Sequence, residues 1–283
     1  MNRFLKYIAL GLILISCNIN KNEVKGAQDK SEEIRGRLKI DSLILKTPPL
    51  KLDHVFILID STNNVHQKLV EAGLTSAEDW KTPHEQQGTT GEFFFFLNFY
   101  FEFLYISNID EATNNIENFG SDYVQRSKWT DSNYFPFGLG LILNDSTKEI
   151  PFDTHTYKAK WMREENVLKM AKSSEDLKEP IAFVEPSDWA NKIFENTEQL
   201  ISKANPEVRK YRQNDLGIES LTKVILNIPK EKEQFSQTLK ELEELNNVEV
   251  QASNKPLLIL EFDDKRQKKE LDFEKELRLK IKY

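Results

Sequence analysis

The sequence predicts an α+β fold in which two fused β-α-β-β-β modules flank an inserted α/β elaboration. Three observations carry that expectation. A strand-helix-strands order beginning at Leu52 recurs from Leu221 to the end of the chain. The segment between the two copies has strand and helix signals of its own, and the run before Leu52 is too polar to share a core with either.

At the start of the chain, Arg3 and Lys6 precede the apolar run Tyr7 to Ile15, and Ser16-Cys17 follow, which is the order of a secretory signal. The run is shorter than the roughly 20 residues a helix needs to cross a bilayer. Residues 1–16 are therefore expected to be removed. Residues 17–50 are polar and charged, close on Pro48-Pro49, and read as a flexible tether, because their few apolar side chains cannot offset the entropy of ordering.

The first module is expected over residues 51–109. Leu52 to Asp60 is rich in branched and aromatic residues and predicts a mostly buried strand; Val65, Leu69, Val70 and Ala72 then fall at near-helical spacing before Gly73. A Trp80-containing segment and a polar turn lead to two strands, Glu92 to Leu97 and Phe99 to Ile106. Residues 110–215 form the elaboration, with helices expected over Asp110 to Phe119 and Trp189 to Ser202, and strands over Phe135 to Leu143 and Pro180 to Val184. The second module is expected over residues 216–283: a strand Leu221 to Ile228, an amphipathic helix Glu231 to Leu245, and strands Val248 to Ala252, Pro256 to Phe262 and Leu277 to Tyr283.

Composition removes several function classes. The net charge is −7, with no basic stripe, which disfavours nucleic acid as a partner. Cys17 is the sole cysteine, so neither a disulfide within the chain nor a thiolate metal cluster is available. No Gly-x-Ser-x-Gly elbow occurs, and His54, His66, His84 and His155 lack the spacing of a metal-binding helix.

Two resemblances add to this reading. Leu14-Ile15-Ser16-Cys17 resembles the lipobox of bacterial lipoprotein precursors, which implies a diacylglycerol-bearing Cys17 and a membrane partner through that lipid anchor. Asn18, where an aspartate would favour inner-membrane retention, implies outer-membrane delivery within the cell envelope. The paired modules resemble the vicinal oxygen chelate superfamily of glyoxalase I, extradiol dioxygenases and bleomycin-resistance proteins. The stretches Leu52-Asp53-His54-Val55, His84-Glu85-Gln86-Gln87-Gly88-Thr89, Phe94 to Leu104, Phe135 to Leu141 and Pro180 to Val184 look like its glyoxalase-like domain proteins.

That resemblance implies a divalent metal held by His54 and Glu102, and a ligand-facing turn at His84, Gln87, Gly88 and Thr89. The expected second module supplies no matching pair: Leu221, Thr222 and Lys223 stand opposite His54 in the alignment of modules, Glu261 is the nearest carboxylate, and Asn214 heads the segment where the family has histidine. Trp129, Tyr134, Phe135 and Trp161 are candidates to close over a cleft, whereas the Phe93 to Phe103 run reads first as core. Two functions stay open on these grounds: a lipid-anchored envelope protein that binds a small molecule without strong catalysis, or a metal-dependent lyase, isomerase or oxygenase using His54 and Glu102.

Overall fold

Thirteen strands in two mixed sheets organise the residues described by the computed structural model, 47–60 and 65–283. The expected signal segment 1–16, Cys17 with its expected lipid and all but the end of the expected 17–50 tether lie outside the described residues. The larger sheet has eight strands. They are β1 (Leu50–Asp60), β2 (Thr82–His84), β3 (Thr89–Phe95), β4 (Tyr100–Ile106), β5 (Phe137–Leu143), β6 (Thr154–Tyr157), β7 (Leu168–Ala171) and β8 (Ile181–Val184), in the order β2-β3-β4-β1-β5-β8-β7-β6. The smaller contains β9 (Leu221–Ile228), β10 (Val248–Ala252), β11 (Leu257–Phe262), β12 (Glu270–Phe273) and β13 (Leu279–Lys282), in the order β10-β9-β11-β13-β12.

Side-chain alternation along β1 explains why it lies at the centre. Val55, Ile57 and Ile59 enter the core shared with the smaller sheet, while Phe56 and Leu58 enter a second cluster on the opposite face. Strand β4 repeats the division, with Phe101, Phe103 and Tyr105 in the first core and Leu104 and Ile106 in the second. Both strands are buried on two faces, which accounts for their near-continuous apolar sequences.

The mid-chain segment does not behave as an elaboration. Its strands β5 to β8 complete the large sheet, with β5 antiparallel to β1 and β8 parallel to β5, as β4 is parallel to β1. Read outward from the β1/β5 seam, each half runs first strand, fourth, third, second. The sheet partner of residues 51–109 is thus residues 137–184, not 216–283. Residues 216–283 keep the expected strands and gain β12, yet pair differently: β9 lies beside β10 in parallel and beside β11 in antiparallel. The connection between β9 and β10 carries a helix, as a parallel crossover requires. That helix spans Gln237–Glu243 rather than Glu231 to Leu245, because Ser236 caps it by accepting the Leu239 N–H at 3.2 Å while Phe235 is extended.

The two sheets are tied by polar as well as apolar contacts. Asn98, in the β3–β4 turn, donates to the Leu221 carbonyl at 2.9 Å and accepts the Leu221 N–H at 2.8 Å. Phe96 and Phe262 pack across the same junction, with ring centroids 4.4 Å apart. Trp129 and Phe135 are buried in this core.

Arg126 organises the entry to β5. Its guanidinium is fully buried and donates to the carbonyls of Phe135 (2.7 Å), Ser174 (3.0 Å), Asp176 (3.1 Å), Leu177 (3.2 Å) and Glu179 (2.6 Å), and to Ser121 Oγ at 3.2 Å. Burial lowers its pKa to about 9. Lysine keeps the charge but cannot reproduce the planar fork, and several buried carbonyls would lose their donor. Arg126→Lys is expected to lower unfolding free energy by about 3 kcal/mol or more, measured by urea denaturation; a loss near zero would contradict this role.

Candidate functional site

The second face of the large sheet bears a cavity of about 370 Å³. Its floor is built by side chains on the same face of β1 and β4 as Phe56 and Leu104: His54, Tyr100 and Glu102. His54 faces Gly140 across the β1/β5 seam, and Phe56 faces Gly138. A β-carbon at Gly140 would lie 2.0 Å from His54 Cε1, and one at Gly138 would lie 2.0 Å from Phe56 Cζ. Both glycines are therefore space for a ring from β1.

A register shift between Leu52 and His54 leaves Asp53 as the extra residue of a bulge. Its carboxylate consequently reaches the same region as its neighbour: Oδ2 is 3.2 Å from His54 Nδ1, and Oδ1 accepts the Asn191 N–H at 2.8 Å. Asn191 is held in turn by Arg212 at 2.6 Å. Glu185 follows β8, where its N–H continues the ladder to the Leu141 carbonyl at 2.9 Å. Glu185 Oε1 lies 3.9 Å from His54 Nδ1, is buried, and has no hydrogen-bond partner among the described residues.

The two halves of the sheet place these acids in equivalent positions. Glu102 stands opposite Phe56, two residues beyond His54, and Glu185 falls one beyond Val184, itself opposite Leu141. Gly140 is therefore the counterpart of His54, and the second half contributes a carboxylate but no imidazole. Among the described residues, Asp53, His54 and Glu185 each offer a ligand atom within 4.8 Å of the others, so they form a group that can hold a metal ion. Glu102 faces the same cavity but is not a member of that close group.

Low solvation governs the floor's protonation. Burial raises Glu102 to about 8. Burial raises Glu185 to about 9, reinforced by the charge and hydrogen bond of Asp53 and by Glu102. Desolvation, then Glu185, Glu102 and Asp53, hold the Tyr100 phenol well above its ordinary value. The Tyr100 ring stacks on His54 at 4.4 Å.

The β2–β3 turn supplies one wall. His84 and Gln87 line the cavity, and burial lowers the His84 imidazole to about 4. Thr89 Oγ1 lies 3.1 Å from His84 Nδ1 and accepts from Gln87 Nε2 at 2.9 Å, so Thr89 positions the wall rather than forming it. Gln87 Oε1 also accepts from Tyr157 at 3.2 Å and Trp161 at 3.3 Å. Gly88 adopts φ +77°, and a β-carbon there would lie 2.4 Å from the Ala112 nitrogen. Trp161 covers His84 with centroids 4.6 Å apart and meets Trp189 at 5.5 Å. At the rim, exposed Arg163 and Asp188 pair at 3.4 Å.

The expected residues thus divide. His54, Glu102, His84 and Gln87 meet at one cavity, whereas Gly88 and Thr89 support the turn behind it. Glu261 belongs to the smaller sheet and pairs with Lys265 at 2.7 Å, and Asn214 closes a local turn by accepting the Ile218 N–H at 3.0 Å. Sequence reasoning missed Asp53, Tyr100 and Glu185. One signal pointed to Glu185: an apolar strand ending in glutamate, as β4 carries Glu102.

No protein-family model matches the chain, and no curated protein matches it in sequence. Among solved structures, a hypothetical protein from Staphylococcus aureus is similar, with a TM-score of 0.49 and 13% identity, over 82% of this chain and 98% of that chain.

The raised Glu102 pKa fixes the sign of a pH effect. Between the ordinary value of 4.5 and about 8, the folded state holds a proton that the unfolded chain has released, so stability falls as pH rises through that window. Glu102→Gln cannot release that proton. Thermal melts at pH 5 and pH 9 are expected to show a smaller loss for the variant than for the original chain, with Glu185 retaining part of the slope; equal losses would contradict the buried, proton-holding Glu102.

Proposed function

We propose that this chain is a lipid-anchored protein of the bacterial cell envelope whose folded body binds a small organic molecule in the cavity of the eight-stranded sheet. The observation that carries the reading is the cavity itself: aromatic walls around a few convergent polar groups with shifted pKa values, the usual make-up of a small-molecule site. The likeness of the halves about the β1/β5 seam supports a vicinal oxygen chelate arrangement, with residues 137–184 as the second module. The single histidine in two equivalent positions favours binding over strong catalysis, since the superfamily's usual ligand set is incomplete here.

The membrane half of the proposal rests on residues 1–17 and the polar run that follows. Acyl chains on Cys17 would contribute about 0.8 kcal/mol per buried methylene, and more than one chain makes a lasting anchor. Delivery to the outer membrane is the destination proposed from Asn18.

A second reading, metal-dependent chemistry on a vicinal-oxygen substrate, is favoured by one specific observation. Glu185 Oε1 is an orphaned buried oxygen beside His54, and Asp53 completes a donor set suited to a divalent cation. A bound cation would act as a Lewis acid toward substrate oxygens. In that reading Asp53, His54 and Glu185 would hold the ion, and Trp161 and Trp189 line the same cavity.

Two outcomes test these proposals. In EDTA-treated protein, a thermal-shift screen of small organic molecules is expected to find stabilising ligands whose effect is lost in Trp161→Ala, because binding to the native state alone raises stability. A screen yielding none, together with stoichiometric zinc or manganese retained after reloading and lost in His54→Ala, would favour the second reading instead. For the anchor, Cys17→Ser is expected to abolish labelling by radioactive palmitate and to release the protein from the membrane fraction; unchanged fractionation would contradict lipidation.

A further inference from the structure

We propose that the ligand of this cavity is an organic ammonium compound, its amine seated at the Glu102 and Glu185 carboxyls and its apolar or aromatic body against the ring-lined walls. This rests on the reading of the cavity as a small-molecule site and names the class of molecule that fits it.

Acids dominate the floor. Asp53, Glu102 and Glu185 converge on the floor, all buried, and among the described residues no lysine or arginine lies within ion-pair distance of any of them. His54 is the sole basic side chain in contact, shared between Asp53 and Glu185. The one arginine of the lining, Arg163, sits at the exposed rim and is already paired with Asp188. An anionic ligand would find no paired cation beside these acids, whereas an ammonium ligand lets Glu102 and Glu185, which burial otherwise keeps protonated, release their protons and ionise against it.

Hydrogen bonding points the same way. Glu185 Oε1 is buried without a partner among the described residues, and Glu102 lines the same open volume. Once ionised against a cation both carboxyls accept only, and an ammonium group brings up to three donors together with the compensating charge. The walls add a second contribution. Phe93, Tyr100 and Phe183 line the cavity beside the two glutamates, and aromatic faces attract a cation most strongly where water is excluded.

A bare divalent ion answers less of the site. It would engage Asp53, His54 and Glu185 but leave Glu102 and most of the 370 Å³ unused. An ammonium on a carbon skeleton uses both the acids and the rings.

Isothermal titration of the EDTA-treated full chain with two matched sets tests this: phenethylamine, phenethyl alcohol and 3-phenylpropanoate, and tryptamine, tryptophol and indole-3-propionate. Each amine is expected to bind about tenfold or more tightly than its alcohol, with the acids weakest. Glu185→Gln and Glu102→Gln are expected to erase that preference, and a preference kept in both would overturn the assignment. Because the ligand comparison is made first on the unaltered chain, it stands even where a variant folds poorly. Alcohols or acids binding as well as the amines would overturn the ammonium assignment and leave the small-molecule reading intact. Failure of all six to bind would overturn both.

Discussion

The structure turns on the antiparallel pairing of β1 with β5, where two glycines face two rings. Gly138 and Gly140 provide the room into which Phe56 and His54 fold, and any side chain at either glycine would occupy the same space as the ring opposite. Closing this seam joins four strands from each half into a single sheet. It also sets His54 at the sheet's centre, beside the bulged Asp53 and one strand, β5, away from β8, which Glu185 follows. The site is in this sense a product of the seam. Fold and chemistry are positioned by the same backbone register.

What surrounds the seam explains how an acid-rich floor persists inside a folded protein. Burying a carboxyl is costly unless it is paired or neutralised, and here burial is met partly by protonation, with Glu102 and Glu185 held at about 8 and about 9. Asp53 accepts from the Asn191 backbone and lies against His54. The chain Arg212, Asn191, Asp53, His54 links the loop after β8 to the floor. Stability and binding are opposed at this point: the groups that weaken the empty protein as pH rises are those that face the ligand space.

Much of the element inventory was legible in the sequence. The branched and aromatic run at β1, the Phe-rich pair β3 and β4, and the alternating β13 all announced strands, and His54, Glu102, His84 and Gln87 were expected near a ligand. Pairing was not legible. Phe137–Leu143 and Ile181–Val184 read as strands, yet nothing local tells β5 that its neighbour is β1, while β6 and β7 are too short for a period-two pattern to register. The similar strand and helix order after Leu221 suggested the wrong partner for the first module, because element order does not specify which strands adjoin. Asp53 escaped notice for a related reason. Adjacent residues on a regular strand face opposite ways, and only the bulge at Leu52/His54 brings both to one site.

The buried acids of this cavity ionise against a positively charged ligand in the proposal made above. A crystal structure of EDTA-treated protein soaked with phenethylamine tests it most directly. The account predicts the amine nitrogen within hydrogen-bond distance of Glu185 or Glu102, with the phenyl ring against Phe93, Phe183 or Trp161. A cavity that takes the ring but leaves the amine pointing to solvent, or that excludes the molecule altogether, would contradict it.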